Sequence, residues 1–366
     1  MAVTSVSQIT NQYQKFFSKH LLQHAINELV MDQFAQTGDL PPNMGAKTIS
    51  FFRRVKSVLN SSGRVSNVIA LAEGTPITQF SGYQMDRVDC TLSQRGEATK
   101  ITDIVSMTEL FSAMKQSSEL MGEDCALDAD AMVRDAFVTA STGLNGGTAG
   151  VTFNQASGTI GSDTTIQEVM PCYYAQGNAN FAALTTGSAS AGKVTGPDFL
   201  KAVTKLKNDR SPRIGGFYVA IIPPGVSADL QNDPDWISAT NFGDPQRRFK
   251  GEIKDVWGCR FVEHTNPFIE DGTPSGSGVE GTYAVPASVA NSIYRTWVIG
   301  KDIYGVPKLA GSQSPFRPKL MLSQSGATKD DPLDQFRTAG WKSYWVAQVV
   351  NPLFGISLSS KSEFAV

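Results

Sequence analysis

Apolar side chains recur every four residues at Phe17, Leu21, Ala25 and Leu29, with Leu22, Ile26 and Val30 beside them. This stripe predicts an amphipathic helix from Lys15 to Gln36. Gly38 stops it, and the Pro41-Pro42 pair prevents a resumption. Beyond that break the period changes. From Lys47 to Thr102 the runs TISFFRRVKSVL, VSNVIALAEGTPI, YQMDRVDCTL and TKITDIV read as strands, punctuated at Asn60 to Gly63, Gly74, Ser81-Gly82 and Gly96. Each run has too few apolar positions to close a core of its own, so the stretch is expected to lie against something else, such as another copy.

Helical spacing returns between Met107 and Ala140. Leu110, Phe111 and Met114 open it, Leu120 and Met121 close a first segment near Gly122, and Leu127, Ala131, Met132, Val133, Ala136 and Phe137 carry it on. The length predicts a bent spine or two helices in line. Ser141 to Gly196 turns to Gly, Ala, Ser, Thr and Asn with almost no charge, which reads as turns and a surface insertion. A helix follows Pro197, then a strand within Gly215 to Val226 that Pro223-Pro224 ends. A strand pair spans Gly251 to Thr265, and a second Gly/Ser/Pro-rich loop covers Asn266 to Gly281. Strands resume in SIYRTWVIGKDIYGVPKL and in the C-terminal GWKSYWVAQVVNPLFGISLSSKSEF. No internal repeat is visible. The order is helix, β-arm, long helix, then mixed body, so the fold class is α+β.

Composition narrows the partners. A chain of 366 residues predicts two to three domains. Lys+Arg 32 against Asp+Glu 34 leaves a net charge of -2, and only 18% of residues are charged. Such a chain has no global field to draw in polyanions and little repulsion between its own copies. That excludes a histone-like role and permits self-association. Cys90, Cys125, Cys172 and Cys259 are far apart with no CxxC, which predicts free thiols in a reducing compartment. The start, MAVTSVSQITNQYQKFF, lacks the pattern of a signal peptide, and no apolar run approaches the roughly 18 residues of a membrane span. A soluble, unexported chain is expected.

Motifs for catalysis are missing. There is no GxSxG, GxGxxG, kinase or deaminase pattern, and GLNGGTAG at Gly143 to Gly150 lacks the Lys-Ser/Thr that ends a phosphate loop. His20 and His24 stand four apart without a third ligand, so packing or solvation is the plainer reading. His264 beside Glu263 is the one histidine outside the first helix. Asp128/Asp130, Asp233/Asp235 and Asp330/Asp331 are pairs that turns and solvated faces explain. Arg53-Arg54 and Arg247-Arg248 with Lys250 are the tight basic groups, and ion pairs between subunits suit them better than nucleic acid. No catalytic, cofactor-binding or metal-ligating residue is assigned.

Several blocks together carry a resemblance. PPNMGAKTISFFRR at Pro41 to Arg54, LAEGTPI at Leu71 to Ile77, SQRGEATKITD at Ser93 to Asp103, WVIGKDIYGVPKLAG at Trp297 to Gly311 and DPLDQFRTAGWKSYWVAQVVNP at Asp331 to Pro352 resemble successive blocks of tailed-phage major capsid proteins, in particular the N4-like branch. Nothing in 143–196 or 266–281 resembles that family. The resemblance implies a Johnson-type (Hong Kong-type) capsid fold. It divides the chain into an N-arm (1–46), an extended β-loop (47–102), a peripheral domain with the spine helix and insertion (103–196), an axial domain (197–309) and returning C-terminal strands (310–366). It implies self-assembly into hexamers and pentamers of an icosahedral head that encloses double-stranded DNA without sequence-specific binding. Portal and scaffolding proteins would be partners, with a decoration protein as an optional addition. The location would be the virion, after assembly in the host cytoplasm. No cofactor is implied. On or beside the reaching loop, Arg53, Arg54, Glu73 and Arg95 become candidate contacts between subunits. Asp103, Asp331 and Lys342 become turn-orienting residues within a subunit, and Trp341 and Trp345 core. The alternatives are an encapsulin-like nanocompartment shell, which shares the fold, and a hydrolase with an unrecognised site.

Overall fold

The computed structural model describes residues 16–19, 21–25, 29–40, 47–54, 73–74, 76, 85–108, 112–155, 164–186, 190–236, 252–272, 280–286, 291–309, 318–322, 333 and 335–364. Helical turns at 16–19 and 21–25 (α1) open it. They are followed by β1 (Gln36–Leu40), β2 (Thr48–Arg54), β3 (Met85–Thr91) and β4 (Ser93–Thr102), then α2 (Asp103–Thr108) and α3 (Ala113–Ser141). Next come β5 (Val151–Gln155), β6 (Thr164–Glu168), β7 (Cys172–Tyr174), α4 (Phe181–Thr186), α5 (Gly196–Asn208), β8 (Tyr218–Ile222) and α6 (Pro224–Gln231). The remaining strands are β9 (Glu252–Val256), β10 (Cys259–Glu263), β11 (Ile269–Asp271), β12 (Ser292–Ile299), β13 (Tyr304–Leu309), β14 (Lys319–Leu322), β15 (Phe336–Trp345), β16 (Gln348–Val349) and β17 (Gly355–Lys361). The class is α+β.

A central mixed sheet runs in the order β7-β17-β12-β8-β10-β9, with β11 also on β12. Strands β8, β12 and β17 are buried along their whole length. Their residues alternate between two cores, as the period of two requires. Val219, Ile221, Trp297 and Ile299 face the core built on α3. Tyr218, Ala220, Ile222 and Val298 face a second core under α5 and α6. Helix α5 begins where its chemistry demands: Thr195 and Asp198 form a reciprocal capping box, and the last turn carries Lys205 and Lys207.

Three smaller sheets surround this body. They are β1-β13-β16, β14-β15-β4 and β2-β3-β5-β6. The β-arm therefore has strands where the sequence predicts them in β2 and β3, but β4 starts earlier than TKITDIV, runs through Gly96 because β15 pairs along its whole length, and gives way to α2 at Asp103. VSNVIALAEGTPI falls largely outside the described residues.

The first helix is shorter than its stripe predicts. The Leu29 N–H still donates to the Ala25 carbonyl at 3.2 Å, but residues Met31–Phe34 form a 3₁₀ turn, and Gln36–Leu40 is a strand with Gly38 inside it. The cause is tertiary. The Asp130 carboxylate accepts the Val30 and Met31 N–H groups at 3.0 and 3.2 Å, and β13 offers a parallel partner, Gln36 opposite Gly305.

From Ala113 on, the second helical region is one long helix, with Leu110 and Phe111 outside the described residues, and Gly122 does not divide it. Helix α3 runs through the glycine for 29 residues. A Cβ at Gly122 would stand 2.5 Å from the Leu21 carbonyl oxygen and 3.3 Å from the His24 Cβ. The glycine marks the place where α1 crosses the spine, not an end.

Neither low-complexity stretch is only loop. Strands β5 and β6 extend the sheet of β2 and β3, and β7 pairs in parallel with β17. The loop of 266–281 contains β11, with Glu270 fully buried. Helix α6 begins at the Pro223-Pro224 pair that ends β8, because a proline fits the first turn of a helix.

Candidate assembly surface

Strand β4 lies at one edge of its sheet, paired over ten positions with β15 from Ser93 opposite Trp345 to Thr102 opposite Phe336. Most of its residues are exposed, on both faces, and none is buried. An edge of that length, unpaired among the described residues, is a template for another chain, and charged side chains keep it from pairing indiscriminately. Here these are Arg95, Glu97 and Lys100. Lys100 stacks 3.3 Å from the centroid of the Phe336 ring.

The end of this sheet is apolar. Asp103 N–H donates to the Gln335 carbonyl at 2.9 Å, which sets the start of α2 beside the strand end. Ile104 is 69% exposed, Met107 81% and Leu333 76%. Three large apolar side chains held in solvent at one tip suit contact with another surface.

The sequence-derived candidates separate into buried ties and exposed positions. Arg53 engages its own chain: Nε and Nη2 donate to Asp86 Oδ2 at 3.1 and 2.8 Å, and Nη1 to Glu168 Oε2 at 2.6 Å. Its guanidinium also lies 3.5 Å from the centroid of the Phe153 ring. Burial alone would lower its pKa, but Glu168 and Asp86 more than reverse that. A side chain read from sequence as reaching for a neighbour thus ties β2 to β3 and β6. Arg54, the next residue on β2, is exposed at a cavity of about 290 Å³ shared with Arg210 and Asn351. Glu73 sits in an exposed turn before Gly74. Arg95 is exposed and joins β4 to α3 through Asp128 Oδ1 at 2.8 Å.

Asp103 begins α2, its Oδ1 accepting the Ile104 N–H at 2.7 Å. Trp341 and Trp345 are core residues, with Trp341 Nε1 donating to Glu97 Oε2 at 3.3 Å. Lys342 lies over the Tyr344 ring at 5.1 Å. Asp331 lies outside the described residues. The ties differ in weight. Arg53→Ala is expected to cost about 3 kcal/mol, because Asp86 is left buried without its cation. Arg95→Ala should cost less than about 1 kcal/mol, since both partners are solvated. Urea midpoints of the two variants check this.

Two buried polar clusters carry no local motif. Arg295 and Glu270 are both fully buried and share a two-pronged pair at 2.8 and 2.9 Å, and Arg295 Nη2 also donates to Glu280 Oε1 at 2.9 Å. A lone cation in the apolar run IYRTWVI was the signal for it. The second is Asp130 with His264 Nε2 at 3.1 Å. No reactive arrangement emerges around this histidine: it is buried, and its Nδ1 has no hydrogen-bond partner, so it holds no serine hydroxyl. Burial pushes the thiols of Cys90 and Cys259 up to about 12, away from nucleophilic use. Among the described residues no group of His, Cys, Asp and Glu could hold a metal ion.

No family model matches this sequence, and no curated protein matches it. Solved structures do. The capsid of Ralstonia phage GP4 is similar with a TM-score of 0.60 at 12% identity, over 92% of this chain and 92% of that one. The capsid structure of cyanophage P-SCSP1u gives 0.55 at 17% identity, over 90% and 87%. The acidic stable capsid of Helicobacter pylori bacteriophage KHP30 gives 0.54 at 9% identity, over 90% and 88%. The chain has the Johnson-type fold of tailed-phage capsid proteins. The likeness spans nearly the whole of each chain, so it concerns the architecture and not one shared motif.

Proposed function

We propose that this chain is the major capsid protein of a tailed phage, assembling into the hexamers and pentamers of an icosahedral head around double-stranded DNA. The observation that carries the reading is the capsid fold over about nine-tenths of the chain. The exposed β4 edge and the apolar tip at α2 are surfaces such a subunit would use on its neighbours. Identical copies meeting through different patches close into rings, and rings tile a shell. The near-neutral charge suits a wall that must release its DNA. The N4-like branch, the five-part domain division and the portal, scaffolding and decoration partners belong to this proposal, supported by the ordered sequence blocks. So do residence in the virion and assembly in the host cytoplasm. Arg54 and Glu73, both exposed, remain the proposed contacts between subunits, with Arg95 as a secondary one.

The test is sedimentation and negative-stain microscopy of the purified chain, alone and with its neighbouring gene products. Rings or closed shells of several hundred kilodaltons to megadaltons are expected. A monomer under every condition would overturn the reading.

A further inference from the structure

Residues Val30 and Met31 form the joint between α1 and β1, and buried side chains from three elements converge on them. Asp130, on α3, accepts both N–H groups. Tyr304, on β13, donates its hydroxyl to the Met31 carbonyl. His264, at the end of β10, completes the Asp130 carboxylate through Nε2. Burial pushes the Tyr304 phenol well above its ordinary pKa, so it remains a donor.

We propose that Asp130, His264 and Tyr304 form a receptor for three successive peptide units of the N-terminal segment, which fixes where that segment docks and holds it there. This goes beyond assembly and stands whatever the chain assembles into. The rest of the docking is apolar: Phe17, Leu21 and Ala25 lie against α3. Apolar contact along a helix specifies position weakly, because it has no direction. A carboxylate that matches two adjacent N–H groups, with a phenol on the adjoining carbonyl, admits one register only. The close crossing at Gly122 is possible only in that register, since the Leu21 carbonyl rests where a side chain would begin. Undocking would hydrate Asp130, so the joint can open without stranding a buried charge. It is a positioning device, and its three members are positioning residues.

Hydrogen exchange on the full chain, at one assembly state, tests it. Asp130→Asn replaces one acceptor oxygen with an amide that faces an N–H group. Exchange over residues 16–34 is expected to quicken about tenfold or more, with β12 and β17 unchanged. Tyr304→Phe keeps the ring against Phe137 and loses only the hydroxyl. It should quicken exchange several-fold over residues 29–34, and it serves if Asp130→Asn fails to fold. Exchange that rises equally in β12 and β17 would make these residues general core supports and overturn the proposal. Unchanged exchange in the N-terminal segment would overturn it too.

Discussion

Replacing Arg295 with Leu should destabilise the chain by about 3–5 kcal/mol, the usual cost of removing one member of a buried ion pair. Glu270 is fully buried and takes two of the Arg295 donors. Without them it keeps the Gly281 N–H and little else. Arg295 also reaches Cys172 Sγ at 3.0 Å and Ser357 Oγ at 3.4 Å, so β12, β11, β7 and β17 all lose a common tie. Burial works against the charged guanidinium, but Cys172, Glu270 and Glu280 hold its pKa above the ordinary value. Arg295→Lys should recover only part, because a single ammonium cannot reproduce the fork. Arg295→Met combined with Glu270→Gln should recover more than either single change predicts, since no buried charge then lacks a partner. Urea unfolding of Arg295→Met, Glu270→Gln and the double variant against the unaltered chain measures the coupling. Additive losses would mean that the pair is solvated and weak.

Gly281→Ala should cost about 3 kcal/mol or more, while Gly74→Ala costs about 1–2 kcal/mol. Both glycines are left-handed, at φ +82° and +77°. At Gly281 a Cβ would fall 1.8 Å from the Gly143 carbonyl oxygen, whereas at Gly74 no atom of the described residues lies within 4 Å. The backbone strain is common to both, of order 1–2 kcal/mol. The difference between them is the collision, which must push apart the 143–147 turn that Gly281 meets through the Asn145 N–H at 2.7 Å. Equal losses at the two positions would remove the packing account.

These predictions concern the stretches in which the sequence says least. Period-two runs and turn residues locate β2, β3, β9, β10, β12 and β13, and the Thr195 to Asp198 cap locates α5. Such elements carry their own signals. The end of α1 and strand β1 do not, because Asp130 and β13, distant in sequence, decide them. Gly122 reads as a break by propensity, yet a crossing helix makes it a contact instead. The insertion at 143–196 looks like loop because its strands borrow their burial from β3 and β17. In the candidate surface, Arg53 was legible as an important charge but not its partners, since Asp86 and Glu168 are brought to it by sheet register. The ordered blocks of the capsid resemblance carried what local patterns could not.

The sheet topology also sets a timetable for synthesis. Gln36 pairs with Gly305, Ser93 with Trp345, and Cys172 with Ser357. A ribosome adding about 5–20 residues per second leaves β1 waiting roughly ten to fifty seconds for its partner. Of the four sheets among the described residues, only β2-β3-β5-β6 can close before the second half exists. The others wait for strands made near the end, and β15, which supports the exposed β4 edge, is among the last. A nascent chain that has not yet reached β15 therefore has no finished β4 surface. Docking through β4, as proposed above, would have to wait until residues 336–345 have left the ribosome.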